Sequence, residues 1–232
     1  MNIVSKDYDG LWTTIFVQPL AWLIIQIGKL IKNYGLAIII STLLIRGIMY
    51  PFTKKSAMQS ENLKLAQPEL TKLEKKYANR TDQEAMMQKS QEMMLIYKKY
   101  NINPMGGCLV SFIQLPLFFA FLEAINRVPA IFEESLFTLQ LGTTPLVGIK
   151  SGNYIYLILI ALIILTTYLS FKFSMSNAGS GEQQQQMQFM TTFMLIFISI
   201  ASFSLPTAIA LYWIVTNGFS VLQTLLLKKK RR

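Results

Sequence analysis

The chain has 232 residues, and its composition defines its class before any motif is considered. Hydrophobic residues make up 52% and charged residues only 15%, a balance that excludes a soluble domain with a solvated surface. The net charge is +10, with one cysteine and no histidine, so internal disulfides, imidazole-based catalysis and histidine metal sites are excluded. Several apolar stretches exceed about 18 residues, the length typical of membrane-spanning helices.

The first segment, residues 1–33, has the pattern of a helix at a membrane surface. Two tryptophans and a phenylalanine are interleaved with polar side chains, and two lysines close the segment. Residues 11–31 therefore predict an amphipathic interfacial helix, with a sixth membrane span as the alternative. Residues 1–10 do not have the pattern of a signal peptide.

Five membrane spans are predicted after this segment, separated by polar stretches or by turns with glycine and proline. The predicted spans are residues 34–53, 105–125, 154–172, 187–205 and 207–227. The connecting segments are residues 54–100, 126–153, 173–186 and the tail 228–232. The predicted fold class is an all-α membrane protein with five transmembrane helices.

Residues 54–100 predict two amphipathic helices that form an antiparallel hairpin. Apolar residues of the first helix recur at intervals of three and four: Leu63, Ala66, Leu70, Leu73 and Tyr77. Pro68 is expected to bend this helix or to mark its start, and Thr81 to Glu84 have the pattern of a capping box that opens the second helix. The second helix has an apolar stripe of Met86, Met87, Met93, Met94 and Tyr97. The stripes either pack together or bind varied partners, since methionine adapts to many surfaces.

The distribution of lysine and arginine predicts the orientation in the membrane. Residues 54–100, residues 172–186 and the tail together carry sixteen basic residues, whereas residues 1–33 and 126–153 carry five. Because cytoplasmic segments of membrane proteins are enriched in lysine and arginine, we expect the hairpin and the C-terminus in the cytoplasm and the N-terminus outside.

Arg46 is the strongest functional signal, because it lies deep in the first predicted span. A charge at the bilayer centre costs about 2.5–3.5 kcal/mol on insertion scales, so it is seldom kept without a role. The other apolar runs contain no aspartate or glutamate, and the nearest acid, Glu123, lies at the end of its span. A lone cation predicts a water-filled cavity, or a site that receives an anionic group from outside.

Five short motifs resemble those of the YidC/Oxa/Alb family of membrane protein insertases, in the family's order and spacing over about residues 12–227. They are Leu44-Ile45-Arg46-Gly47-Ile48-Met49-Tyr50-Pro51, Gln67-Pro68-Glu69, Asn103-Pro104-Met105-Gly106-Gly107-Cys108, Ile113-Gln114-Leu115-Pro116 and Leu211-Tyr212-Trp213-Ile214-Val215-Thr216-Asn217. Each motif alone is weak, but five in order are specific. The resemblance implies the short bacterial form in the cell membrane, with five spans around a hydrophilic groove open to cytoplasm and lipid.

The resemblance also implies the residues of the site. Arg46 matches the family's groove arginine, Thr42 lies one turn away, and Gln114 faces the groove from the second span. Trp213, beside Tyr212, matches the aromatic position that contacts client helices. The implied function is a membrane protein insertase that moves hydrophobic segments of newly made proteins into the bilayer, alone or with the Sec translocon, and needs no cofactor.

The implied partners are nascent membrane proteins, the phospholipid bilayer, the ribosome and the Sec translocon. The tail has five consecutive cations that suit anionic lipid or ribosomal RNA: Lys228, Lys229, Lys230, Arg231 and Arg232. A transporter or channel for small anionic solutes would also retain Arg46 as its substrate site, but the sequence lacks two related halves. An intramembrane enzyme is disfavoured, because histidine and intramembrane acids are absent.

Overall fold

The fold is that of an all-α membrane protein, as the sequence predicted. The computed structural model describes residues 10–80, 82–103, 116–175 and 181–230. Nearly all of these residues are helical, and strands within the described ranges are limited to one short hairpin. Apolar helices with few charges account for this outcome, because a backbone inside a bilayer must satisfy its own hydrogen bonds.

The helices and strands are numbered in chain order. The first helix, α1, covers Thr13–Ile31, with a π-helical first turn over Thr13–Val17. It is followed by α2 (Tyr34–Ile48), α3 (Tyr50–Tyr77), α4 (Gln83–Lys99), α5 (Pro116–Asn126) and α6 (Pro129–Glu133). The strands are β1 (Ser135–Leu136) and β2 (Leu139–Gln140), paired antiparallel. The last helices are α7 (Pro145–Lys150), α8 (Ile155–Met175), α9 (Gly181–Ser204) and α10 (Thr207–Lys230).

Within the described residues, three helices are long and apolar enough to cross a bilayer, namely α1, α8 and α10. The bent pair α2 and α3 makes a fourth candidate if it is counted as one span. Helix α5 and the Thr192–Ser204 part of α9 are shorter apolar helices. The described part of the chain therefore has the helices of a multi-pass membrane protein.

Helix α10 lies at the centre of the bundle. It packs against α2, α3 and α8, and its aromatic residue Tyr212 stacks on Phe121 of α5 with ring centroids 4.7 Å apart. Helix α1 packs against α2, and α9 packs against α8. The buried positions of α1 follow helical spacing, from Val17 through Ala21 and Ile24 to Gly28, so one face of this helix contributes to the core.

The first predicted span, 34–53, is divided by a bend of 60° between α2 and α3. Helix α2 ends at Ile48, and α3 begins at Tyr50 with Pro51 in its first turn. Proline has no N–H and fits the first turn of a helix, so it favours a new helix here over continuation of the old one. The base of the hairpin thus leaves the bundle at Met49.

The residues that flank α1 bond to the end of α5 and to the segment that follows it. At its start, Trp12 Nε1 donates to Glu123 Oε2 at 2.9 Å and Arg127 donates to Thr13 Oγ1 at 3.4 Å. Just after its end, the Tyr34 N–H donates to a carboxylate oxygen of Glu134 at 2.7 Å. The same connecting region contacts the starts of α8 and α10 through Tyr156 and Thr207. Helix α1 therefore begins and ends at one end of the bundle.

Two predicted loops contain more regular structure than the sequence indicated. In the predicted loop 173–186, α8 continues to Met175 and α9 already begins at Gly181, because glutamine is a good helix former. In the loop 126–153, a short helix covers Pro129–Glu133 and is followed by the β-hairpin. Strands of two residues are too short to leave a periodic pattern in the sequence.

The segment 54–100 contains two helices that pack together, α3 and α4. The N-cap of α4 is Asp82, whose carboxylate accepts the Ala85 N–H at 3.0 Å; this is one residue later than the predicted capping box begins. Thr81 of that box lies outside the described residues. Helix α3 continues without a break through Pro68, contrary to the expectation that proline would mark its start.

The methionine stripe predicted on α4 is divided between two faces. Met93 packs against the small core that Leu73, Tyr77 and Ala85 form between the helices. Met86, Met87 and Met94 are exposed on the surface of the hairpin. One helix face of about 100° cannot hold consecutive residues, so Met86 and Met87 could not both join Met93.

The two helices are locked by a pair of matching contacts that the sequence analysis did not identify. Lys76 and Tyr77 of α3 donate to Glu92 Oε1 at 2.6 and 2.8 Å. Lys99 and Tyr100, at the end of α4, donate to Glu69 Oε1 at 2.5 and 2.8 Å. The signal was present in the sequence: Lys-Lys-Tyr occurs at 75–77 and again at 98–100, each time ending eight residues after a glutamate.

These contacts shift the pKa values of the groups in opposite directions. The hydrogen bonds from Lys99 and Tyr100 lower the pKa of Glu69, and those from Lys76 and Tyr77 lower the pKa of Glu92. The glutamates raise the pKa values of the two lysines. Because the pKa of each glutamate is lowered, its contact stabilises the hairpin at pH values above the ordinary carboxyl pKa of 4.5. Because the pKa of each lysine is raised, its contact stabilises the hairpin at pH values below the ordinary lysine pKa of 10.5. The two contacts therefore stabilise the hairpin most between pH 4.5 and pH 10.5.

We predict that Glu69→Gln combined with Glu92→Gln loosens the α3–α4 hairpin at neutral pH, because both locks lose their charge. Hydrogen exchange of the amides near Tyr77 and Ile96 should become faster in this variant. Glu84→Gln is the matched control, since Glu84 accepts a hydrogen bond from Gln88 of its own helix and bonds to none of the described residues of α3. The wild-type hairpin should likewise loosen below pH 4.5 and above pH 10.5. If the amides exchanged equally slowly in the double variant and in the Glu84→Gln control, the two contacts would not stabilise the hairpin.

Candidate functional site

Arg46 lies in the last turn of α2, where the helix packs against α10, and its side chain is only 6% exposed. None of the described carboxylates forms an ion pair with it, and no described side chain hydrogen-bonds to it. Its guanidinium lies within electrostatic range of the hydroxyl of Tyr212 on α10. The position combines high burial with an uncompensated charge, a combination that is costly in a dry protein interior.

Further polar side chains are buried on the same two helices, α2 and α10. Ser41 and Thr42 are buried on α2, and Tyr212 and Thr216 are buried one turn apart on α10. We call these four residues and Arg46 the polar seam. The hydroxyl oxygens of Ser41, Tyr212 and Thr216 are buried and have no well-formed hydrogen bond to the described residues. Since such groups cost about 1–3 kcal/mol each when left dry, the seam favours polar contents.

Thr42 differs from the other hydroxyls of the polar seam. Its Oγ1 donates to the Ile38 carbonyl, one turn earlier on α2, at 2.7 Å. This back-bonding satisfies the hydroxyl within its own helix. Thr42 therefore contributes polarity to the seam, while its hydrogen-bond donor is already used.

Trp213 lies on a different face of α10 from Tyr212, as adjacent helix positions about 100° apart require. Its Nε1 donates to Thr167 Oγ1 of α8 at 2.9 Å, and its ring packs edge-to-face on Phe118 of α5. Asn217, one turn later, donates to the Trp213 carbonyl at 3.1 Å. Tyr212 is thus the aromatic residue beside Arg46, while Trp213 joins α10 to α5 and α8.

A second polar contact lies where the hairpin leaves the bundle. Gln223 of α10, itself buried, donates to Thr53 Oγ1 of α3 at 2.8 Å. Thr224 beside it is also buried. Sequence reasoning missed these residues and Thr216, although their spacing along α10 follows the helical repeat from Tyr212. Polar side chains therefore continue on one face of α10 from the bundle interior to the base of the hairpin.

Some predicted site residues lie outside the residues that the structure describes. Gln114 falls within 104–115, and Arg231 and Arg232 end the chain beyond the described residues. The backbone of Lys228–Lys230 continues α10, but their side chains are not described. Among the described residues, no group of three or more acidic, cysteine or histidine side chains could hold a metal ion.

Comparison with known proteins gives the family. A family model described as 60Kd inner membrane protein matches residues 26–232. A membrane protein insertase YidC from Oceanobacillus iheyensis is 38% identical over 228 residues, which covers 97% of this chain and 87% of that protein. The membrane protein insertase MisCA from Bacillus subtilis is 35% identical over 226 residues, covering 97% of this chain and 82% of that protein.

A solved structure shares the fold. It is described as an active YidC insertase crystal structure with the first transmembrane domain resolved, and it aligns with a TM-score of 0.55 at 19% sequence identity. The alignment covers 96% of this chain and 47% of that chain, so this chain spans about half of that protein's length.

The apolar helices and these matches define the class as a multi-pass membrane protein insertase, which is not an enzyme. The chain belongs to the YidC family of membrane protein insertases, whose family model is described as 60Kd inner membrane protein.

We predict different effects on stability for two changes that each remove one buried hydroxyl. Thr167→Val leaves the Trp213 N–H without its acceptor and should destabilise the bundle by about 1–3 kcal/mol. Tyr212→Phe removes a hydroxyl that has no well-formed hydrogen bond to the described residues, so the free energy of unfolding should change much less. Thermal unfolding in detergent measures both; an equal loss in the two variants would show that the Tyr212 hydroxyl is structurally required.

Proposed function

We propose that this protein inserts hydrophobic segments of newly made proteins from the cytoplasm into the bilayer through a hydrophilic groove, of which the polar seam forms the wall. Arg46 attracts the acidic or polar tail of the client as the tail passes across the membrane. The observation that carries the proposal is the burial of Arg46 without an ion-pair partner among the described carboxylates. A passing carboxylate would supply the missing partner only transiently.

The unpaired hydroxyls support the same proposal. The seam offers hydrogen-bonding groups on both α2 and α10 that the described residues leave unused. A polar segment of a client, or water that accompanies it, can use these groups. This lowers the cost of moving polar groups part way across the membrane, which in hydrocarbon alone amounts to several kcal/mol per group.

Release into lipid needs no nucleotide in this proposal. The exposed sides of α8 and α9 are apolar, with exposed residues such as Ile158, Leu165 and Phe197. A hydrophobic client segment gains about 25 cal/mol for each Å² of apolar surface that leaves water. The membrane potential adds about 2.3 kcal/mol per charge for each 100 mV. These two terms favour outward partition of the client helix.

We also propose that α1 lies along the outer membrane surface, although its length would let it span. The residues at its two ends both bond to the segment 123–134. The two ends of a helix that crosses a bilayer lie on opposite sides of the membrane and could not both reach one short segment. The charge distribution then places this end of the bundle outside, with the α3–α4 hairpin and the C-terminus in the cytoplasm.

In this orientation the α3–α4 hairpin extends into the cytoplasm, where we propose that it receives clients. Its exposed methionines, Met86, Met87 and Met94, form an adaptable apolar surface next to Leu95. The basic tail, residues 228–232, is a candidate contact for ribosomal RNA or anionic lipid because of its charge alone. Cooperation with the Sec translocon remains part of the proposal.

We predict that Arg46→Ala lowers insertion of a single-span client with an acidic tail about tenfold, equivalent to about 1.4 kcal/mol. Arg46→Lys should retain most activity because it keeps the charge. Insertion into proteoliposomes, scored by protease protection of the tail, measures the effect. The same client with a neutral tail is the matched control and should respond much less. Wild-type activity of Arg46→Glu on the acidic tail would contradict the electrostatic role.

We predict that Met87→Gln combined with Met94→Gln reduces crosslinking of a stalled hydrophobic client to α4, because apolar surface is lost. The fold should be unaffected, since both side chains are exposed. Met93→Gln is the contrasting control: it faces Leu73 and Tyr77, so it should loosen the hairpin in hydrogen exchange. Unchanged crosslinking in the double variant would remove the methionine surface from the proposal.

A further inference from the structure

An exposed phenylalanine occupies the turn of the β1–β2 hairpin. Leu136 pairs with Leu139 across the strands, so Phe137 and Thr138 form a two-residue turn. Phe137 is 91% exposed and has a φ of 55°, a conformation that normally favours glycine or asparagine. A bulky apolar side chain in this position is unfavourable in water, both for its backbone and for its ring.

The hairpin cannot turn the ring inward. Leu136 and Leu139 are buried in the core, and Leu136 packs closely on Gly35 at the start of α2. The Gln140 N–H donates to the Tyr156 hydroxyl at 3.0 Å. These contacts fix both strands, and the turn therefore holds the Phe137 ring away from the protein.

The turn is also fixed at the depth where a membrane span begins. Asn153 Nδ2 donates to the Thr138 carbonyl at 2.9 Å, which joins the turn to the residue before Tyr154. The candidate span Ile155–Phe173 starts immediately afterwards. Tyr154 is 68% exposed, and the apolar exposed face of α8 continues from it through Ile158.

The opposite end of α8 supports this depth. Lys172 lies over the Tyr168 ring, with 5.7 Å between Nζ and the ring centroid, as expected of a side chain at a membrane boundary. From Tyr154 to Lys172 the helix rises about 27 Å at 1.5 Å per residue, close to the roughly 30 Å of a hydrocarbon core. Tyr154 and the neighbouring turn therefore lie at the level of the lipid headgroups.

We propose that Phe137 and Tyr154 insert together into the headgroup region of the bilayer and bind phospholipid at the Tyr154 end of α8. Aromatic rings are favoured at this depth, where one side is apolar and the other is wet. The contact with lipid compensates for an exposed ring and a strained turn. This inference requires only that α8 crosses the membrane, and it does not depend on the proposed path of clients.

Spin labels in liposomes test the proposal. In a Cys108→Ser background, which removes the chain's one cysteine, a label at Phe137→Cys should be relaxed more by oxygen than by a water-soluble nickel complex. Exposed Glu133→Cys serves as the aqueous control and exposed Ile158→Cys as the lipid control. An oxygen-to-nickel ratio above that of the Glu133 label supports insertion, and a ratio no higher than that of the Glu133 label overturns it.

A second position keeps the test decisive if Phe137→Cys does not fold. Thr138 is exposed in the same turn, so a label at Thr138→Cys probes the same depth without removing the ring. When added to the labelled Thr138→Cys variant, Phe137→Asn is compatible with the positive φ but removes the aromatic ring. The oxygen-to-nickel ratio at position 138 should then fall towards the aqueous control; an unchanged ratio would show that the Phe137 ring does not hold the turn in lipid.

Discussion

A buried charge must be compensated by a counter-charge, by hydrogen bonds or by water, and this constraint organises the bundle. Arg46 has no described carboxylate partner, so its surroundings on α2 and α10 are polar. The hydroxyls of the polar seam cannot face lipid without cost, because hydrocarbon offers no hydrogen bonds. They therefore lie inside the helix bundle, and α10, which contributes two of them, packs at its centre.

The contrast with Arg127 shows that burial alone does not create this situation. Arg127 is also largely buried, but it pairs with Glu123 one turn earlier on α5, and Glu123 in turn accepts the indole N–H of Trp12. The charges of Arg127 and Glu123 are thus paired within the protein, and the bond from Trp12 joins the start of α1 to α5. Two arginines in one chain thus have opposite environments: Arg127 is paired within the protein, and Arg46 has no ion-pair partner among the described residues.

The two ends of the bundle are stabilised differently. At the end near α1, buried leucines, the β-hairpin and side-chain bonds to Tyr156 and Thr207 join several helices. At the other end, the hairpin is connected to the bundle by few contacts such as that of Gln223 with Thr53, and its helices are joined by surface locks. Elements with little buried apolar contact open more readily, which agrees with the role proposed for the hairpin in receiving clients.

The sequence by itself determined the class, the apolar helices and the isolated charge of Arg46 within an apolar segment. Length, hydropathy and an isolated charge are local properties, so they do not depend on how the helices are arranged. It also contained the two Lys-Lys-Tyr segments, whose pairing across α3 and α4 only the fold revealed. Contacts between distant residues had no local signature. The sequence could not say that Tyr212 rather than Trp213 lies beside Arg46, because the rotation of α10 is set by stacking on Phe121 and by the bond to Thr167. The same limit applies to α1: its composition allowed it either to span or to lie on the surface. Only the tertiary structure shows that Trp12 and Tyr34, which flank this helix, both bond to glutamates of the segment 123–134, because contacts between helix ends leave no local pattern in the sequence.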